Sequence, residues 1–479
     1  MIALTLAEIE RILGGRLVAP HGAATDAALG ETVVDGAVET DSRLVGPGSV
    51  FFALPGEVTD GHRFAAGAVE SGAALVVTER ELELAAPQIV VDDGVIALAD
   101  LAREVVARVR AHGRLKVVGI TGSNGKTTTK NLLRAVFSAQ GPTVAPPGSF
   151  NNHVGAPISM LRVDDATEHL IVEMGASGVG EIARLVGIVV PDVSVVLKVG
   201  LAHAGEFGGI EQTQRAKSEI VTQLPATATA VLNADDGRVM AMRDVTAARI
   251  VTFGLGDADL RAEDVALRPD GTAFTLVDGD ARTPVVLRIL GEHHVYNALA
   301  ALAVARELGV PIAEAIAAIE SVPRAERWRM ELLEPGDGVS VINDAYNASP
   351  DSTAAALKTL AQLAAAEGRR SIAVLGEMAE LGEFADEEHD RIGRLAVRLD
   401  IRQLVVVGQG ARHIHNAAGL EGSWDGESIL VDDVDAAYDV VRGLLRPGDV
   451  VLVKSSKSAG LRFLGDRLGG LDANGEASA

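Results

Sequence analysis

Apolar runs of strand length recur along the whole chain, and most are followed by a segment in which apolar residues return at helical spacing, the alternation that builds βα units. In residues 1–112 an amphipathic helix over 6–13 precedes strands at 48–54, 73–77 and 88–91, and a further helix opens at Asp60-Gly61-His62-Arg63-Phe64 and runs to Ser71. In residues 113–322 the strands fall at 116–120, 170–172, 193–197 and 230–232, with helices at 131–139 and 298–308. After the break Ser321-Val322-Pro323, strands at 339–342, 371–375, 403–407 and 449–453 set out a third unit over 323–479. Strands without polar alternation are buried on both faces, so the pattern predicts an α/β protein of three domains (1–112, 113–322 and 323–479) built on helix-covered parallel sheets. The small polar tail 472–479 is expected to fray.

Composition narrows this picture. Hydrophobic residues make up 48% but aromatics only 3%, so the cores must be packed from Ala, Val and Leu. A net charge of −23, from 43 Lys+Arg against 66 Asp+Glu, argues against nucleic acid as the main partner, while a bound polyphosphate needs only a local positive site or magnesium. There is no cysteine, which excludes disulfides, a thiolate nucleophile and Cys-ligated zinc. The helical periodicity of residues 1–17 is interrupted by Glu8, Glu10 and Arg11, which fits neither a signal peptide nor a membrane span, so a soluble cytoplasmic protein without a transmembrane segment is expected.

The candidate chemistry starts at Gly119-Ile120-Thr121-Gly122-Ser123-Asn124-Gly125-Lys126-Thr127-Thr128. A strand, a glycine-rich turn, Lys-Thr and a helix in that order form a phosphate cradle: backbone N–H groups and a helix N-terminus face one anion, Lys126 adds a mobile cation, and the Thr127 hydroxyl can sit on Mg²⁺. Ile120 occupies the position where the general pattern has its first glycine, so the spacing is a variant and an ordinary strand-to-helix turn is the competing reading. Further strands end at Glu173, towards His203, and at Asn233-Ala234-Asp235-Asp236, and ligands of open α/β sheets gather at such ends. A buried Glu173 is costly unless it meets a cation, which suggests magnesium; a capping or salt-bridged glutamate is the alternative. His203 alone is a weak signal. Lys217 shares a helix face with Thr213 and Val221 and could turn inward, although a solvated lysine is the default. Gly291-Glu292-His293-His294-Val295-Tyr296-Asn297 precedes the 298–308 helix and places polar groups at its N-terminal end. Ser42 and Arg43 could hold an anion or form an exposed turn.

Taken together, Thr121-Gly122-Ser123-Asn124-Gly125-Lys126-Thr127, Glu173, His203, Lys217 and the Asn297 helix resemble the Mur ligases, ATP-dependent amide-forming enzymes of peptidoglycan precursor synthesis. Three further segments resemble the member that adds D-alanyl-D-alanine to UDP-N-acetylmuramoyl-tripeptide: Asp344-Ala345-Tyr346-Asn347-Ala348-Ser349-Pro350-Asp351-Ser352, Ser149 to Pro157, and Leu375 to Gly382. The resemblance implies an N-terminal UDP-binding domain, a central P-loop-type ATPase domain and a C-terminal Rossmann-like domain. It implies ATP at residues 122–128, with Lys126 at the β- and γ-phosphates. Thr127 and Glu173 would hold one Mg²⁺, and His203 a second with Lys217 as a carbamate. Asn297 would lie by the adenine and Asp344 by the ribose, with Arg329, rather than Arg327, as the C-terminal-domain arginine. Ser42, Arg43, Asn151, Asn152 and Asn347 would contact the substrates, and the enzyme is expected to act as a monomer. The family commonly has His-Asn where this chain has His293-His294, and Lys-Gly-Ser-Arg where it has Lys454-Ser455-Ser456-Lys457.

The implied reaction moves the γ-phosphoryl group onto the tripeptide carboxylate, and the dipeptide amine then displaces phosphate from the acyl phosphate. Positioning and charge neutralisation carry such a transfer. The rival readings are a ligase of the same superfamily with another acceptor, a folylpolyglutamate-type ligase, and a P-loop kinase or ATPase.

Overall fold

The computed structural model describes residues 1–22, 27–56, 59–146, 148–201, 204–268, 270–323, 326–422 and 424–472. Its architecture is the expected three-part α/β arrangement. The first unit centres on a five-stranded sheet in the order Arg16–Val18, Gln88–Val90, Leu75–Thr78, Val50–Phe52, Val38–Glu39, in which only the first pairing is antiparallel. The helix Leu6–Leu13 forms where the pattern places it because Thr5 and Glu8 close a reciprocal capping box and Gly14 ends it in the left-handed conformation. Of the expected tail, residues 473–479 lie outside the described residues.

The central sheet has nine strands. Lys116–Thr121 lies between His169–Glu173 and Val193–Val196, all parallel, so the chain leaves the sheet at Gly122, Met174 and Leu197 side by side. The expected parallel sheet carries an antiparallel extension. Beyond Arg249–Gly254 the sheet continues through Leu260–Arg268, Gly271–Asp278 and Ala281–Leu287, and the last two pairings are antiparallel. Leu260–Arg268, an interior strand paired on both sides, alternates more and less exposed positions rather than reading as an apolar run. The third unit carries a six-stranded sheet, parallel except for the edge strand Glu331–Gly336.

A correction concerns residues 291–297. The helix begins at His293 and runs to Glu307, so the polar stretch is its first turn rather than a segment in front of it. The helix Gly94–Ala111, for which the pattern raised no expectation, packs on Leu6–Leu13 of the first unit and on Gly155–Met160 and Glu181–Ile188 of the central one. Its buried Leu98, Leu101 and Val105 belong to one continuous apolar cluster that also holds Ile9, Val77, Val117, Leu170 and Leu185. No helix among the described residues is long and apolar enough to cross a membrane.

Candidate active site

The turn at 122–125 is formed by two glycines that no other residue could replace without movement. Gly122 has φ +154° and its missing Cβ would lie 2.9 Å from the Leu197 Cβ; Gly125 has φ +88° and its Cβ would lie 2.4 Å from the Asn297 Oδ1. Ile120 is a fully buried strand residue, which explains why the first glycine of the general pattern is dispensable at that position. Gly125 caps the helix Lys126–Ser138 and has no side chain to satisfy its first N–H groups, so the helix N-terminus is available to an anion. The Lys126 Nζ donates to the Gly122 carbonyl at 2.7 Å, and burial pushes its pKa down against the pull of Glu173.

Glu173, at the end of the neighbouring strand, is completely buried. Its Oε2 accepts the Thr127 hydroxyl at 3.2 Å, whereas its Oε1 accepts no hydrogen bond. Burial raises its pKa, opposed by Lys130, Lys126 and Arg329 in that order. Among the described residues there is no group of three His, Asp or Glu that could hold a metal by itself. With nucleotides magnesium takes one or two carboxylates, with waters and phosphate oxygens completing the shell, and the buried Glu173 Oε1 without a hydrogen bond, beside Thr127, offers such a carboxylate. Glu173 and Thr127 therefore fit such an ion.

Around this turn lies a cavity of about 270 Å³ between the central and third units. Ser123, Asn124, Gly125, Lys126, Thr127, Thr128, Asn151, Asn297, Arg329, Asp344 and Asn347, all singled out from sequence, line it together. Arg329 reaches Thr127 Oγ1 at 3.4 Å and lies 4.2 Å from the Tyr346 ring centroid. The other candidate arginine, Arg327, turns away to pair with Asp466 at 2.9 Å. An adjoining cavity of about 660 Å³ is lined by Asn233, Asp235, Asp236, Tyr296 and Asn297, as expected from the strand ends.

Lys217 lies outside both cavities but turns inward: it is 2% exposed, and burial brings its pKa down to about 7. Its Nζ lies 5.5 Å from the Phe207 ring centroid. His203 lies outside the described residues. Ser42 and Arg43 sit on the surface of the first unit, where Arg43 pairs with Asp41 and holds its carboxyl down to about 2. Asn152 is exposed and folds onto its own turn, accepting from the Gly155 N–H at 2.8 Å.

The sequence reading gave no role to two lysines. Lys130, fully buried, donates to the carbonyls of Pro146 at 2.8 Å and Gly148 at 2.6 Å and lies 3.4 Å from Glu173 and 3.7 Å from Glu326. Its signal was its position four residues after Lys126, on the same helix face. Lys454, 2% exposed, donates to Asp344 Oδ2 at 2.6 Å and the Asn347 carbonyl at 3.0 Å. Its signal was its place at a strand's carboxyl end.

Family profiles described as Mur ligase family, catalytic domain; Mur ligase middle domain; and Mur ligase, glutamate ligase domain match residues 36–112, 120–305 and 328–457. The UDP-N-acetylmuramoyl-tripeptide--D-alanyl-D-alanine ligase of Mycobacterium bovis is 46% identical over 98% of this chain and 98% of its own. Its Escherichia coli K12 namesake is 31% identical over 96% and 97%. Among solved structures, MurF from Acinetobacter baumannii has a TM-score of 0.86 at 30% identity, covering 98% of this chain and 99% of that one. The MurF ligase from Thermotoga maritima, solved in complex with ADP, has 0.78 at 30% identity, covering 89% and 96%. With identity of this order along almost its entire length, the chain belongs to the Mur ligase family.

Proposed function

We propose that this chain is an ADP-forming amide ligase that joins D-alanyl-D-alanine to UDP-N-acetylmuramoyl-tripeptide at the expense of ATP, in cytoplasmic peptidoglycan precursor synthesis. The observation that carries the reading is that one cavity receives side chains from the phosphate-binding turn and from the segment 344–352, which resembles the D-alanyl-D-alanine-adding member. In this reading residues 1–112 hold the UDP-sugar peptide through Ser42 and Arg43. Residues 113–322 hold ATP, and residues 323–479 supply Arg329, Asp344 and Asn347 on closure.

The chain's own groups have distinct tasks. Lys126 and the helix N-terminus hold the outer phosphates, and Arg329 adds a cation where charge develops as the γ-phosphoryl group leaves ADP. Asn151 and Asn152 orient the acceptor peptide so that its carboxylate lies in line. Closure of the third unit keeps water from the acyl phosphate until the dipeptide amine attacks. Thr127 and Glu173 would hold one Mg²⁺, and His203 and Lys217 a second, whose charge reduces the repulsion between carboxylate and ATP. The Lys217 amine, brought to about 7 by burial, is available in its neutral form to add CO₂ and release a proton, becoming a carboxylate-like carbamate.

The test is phosphate release from ATP by the purified protein. Release that requires both D-alanyl-D-alanine and the UDP-tripeptide is expected. Release independent of both would favour a P-loop ATPase or kinase, and release with a different acceptor a sister ligase.

A further inference from the structure

Behind the phosphate-binding turn, Thr129, Asn297 and His294 form a short chain of buried polar groups, and its geometry decides where a proton sits. The Thr129 hydroxyl is fully buried and donates to Asn297 Oδ1 at 3.4 Å. With that oxygen engaged, the Asn297 amide nitrogen faces His294 Nδ1 at 3.1 Å. An amide NH₂ can only donate, so Nδ1 is the acceptor and the proton of the neutral ring is on Nε2. The ring stays neutral because burial, with His293 and Arg329 nearby, lowers its pKa well below the ordinary value.

The Nε2–H has no hydrogen-bond partner, although His294 is only 4% exposed. A buried N–H left unpaired carries its full desolvation cost, which an acceptor on a ligand would remove. The surroundings indicate which acceptor. His294 lines the smaller cavity together with Gly125, Lys126, Thr127, Thr128 and Arg329, but does not line the larger one with Asn233, Asp235 and Tyr296. A protonated ring nitrogen has no lone pair for a metal. We infer that His294 Nε2–H donates a hydrogen bond to a phosphate oxygen of the bound nucleoside polyphosphate, an uncharged contact that complements the Lys126 ammonium. His294 stands where the family pattern commonly has asparagine, and its ring carries the donor one bond farther from the backbone. The inference rests on the ATP-dependent reading above.

The experiment is calorimetric titration of the full chain with ADP and with adenosine, in the native protein and in His294→Phe and His294→Gln. Phenylalanine keeps a ring packed, tilted, against His293, 4.1 Å between centroids, and removes the donor. Glutamine places an amide donor at similar reach. His294→Phe is expected to weaken ADP about 10-fold or more with adenosine within about 2-fold, and His294→Gln to stay within about 3-fold of native for ADP. Equal ADP affinity in native and Phe forms overturns the inference, and so does a parallel loss for adenosine, which moves the contact to the nucleoside. If the native protein binds no ADP, the ATP-dependent reading falls and the inference with it. Should the Phe variant fail to fold, imidazole ¹⁵N shifts of the native protein decide: a protonated Nε2 whose proton shifts on ADP addition is expected, and an Nδ1–H tautomer or an unmoved resonance overturns it.

Discussion

The two junctions between units differ in material, although Leu290 and Leu267 of the central unit also pack against the apolar core of the third. The first unit and the central one share a single apolar cluster, with the helix Gly94–Ala111 buried against both. Its outer arginines add bonds to the central unit, Arg110 to Asp192 at 2.8 Å and Arg103 to the Gly187 carbonyl at 3.1 Å. At the second junction polar contacts are prominent: Lys198 to Asp351 at 3.1 Å, Ser349 to Asn124 at 3.2 Å, Ser149 to Tyr346 at 2.9 Å and Arg329 to Thr127 at 3.4 Å. Apolar burial fixes one arrangement because separating it exposes surface to water. Polar contacts exchange with water at small net cost, so they permit opening. The candidate active site lies at the more polar junction.

The largest expected effect falls at the second junction and leaves the first untouched. Lys126→Ala should lower ligation by about 1,000-fold or more, as loss of a preorganised cation at a phosphoryl group does, while UDP-tripeptide affinity stays within about 3-fold. Loss of both would break the division between the junctions. Next comes the apolar side: Leu98→Ala, at a fully buried position, should cost about 2–5 kcal/mol of stability by denaturant titration, with the remaining folded protein binding ADP normally.

The third expectation is a dependence on acid. Burial lowers the pKa of His293 from 6.5 to about 4, opposed by Asp344 and reinforced by Lys454 and Lys198. Below 6.5 the unfolded chain binds a proton that the folded ring refuses. Stability is therefore complete above 6.5 and falls as pH drops towards 4, by about 2 kcal/mol for this half-buried ring. Unfolding midpoints from pH 7.5 to 4.5 should decline less steeply in His293→Gln; an unchanged slope would remove this ring as the cause. The smallest effect is expected from Asp351→Asn, whose partly exposed pair with Lys198 is worth less than about 1 kcal/mol. A loss above about 2 kcal/mol would show that the second junction is held as firmly as the first.

Much of this was legible before the structure. The strands at 116–120, 371–375 and 403–407 read directly from unbroken apolar runs, because a strand buried on both faces has no polar alternation to confuse it. The antiparallel strands 260–287 did not read, because one face is exposed and the apolar signal is diluted among Glu263, Asp264 and Arg268. At the site, Lys126 and Thr127 were visible because their spacing to the glycines is local. Lys130 was not, since a lysine on a helix is solvated by default and only packing shows that its ammonium meets the Pro146 and Gly148 carbonyls beside Glu173.

What the sequence determined by itself was therefore everything written in short-range terms: the βα order, the turn at 122–125, the strand ends that carry Glu173 and Asn233, and membership of a family through contiguous motifs. The tertiary structure decided which distant groups meet. It brought Arg329 to Thr127, turned Lys217 inward, paired Lys454 with Asp344, and oriented the Thr129–Asn297–His294 chain. Periodicity is set by the geometry of a few successive residues and survives in the chain as pattern. A polar contact between residues 127 and 329 depends on how two separate sheets pack, and no local pattern encodes that.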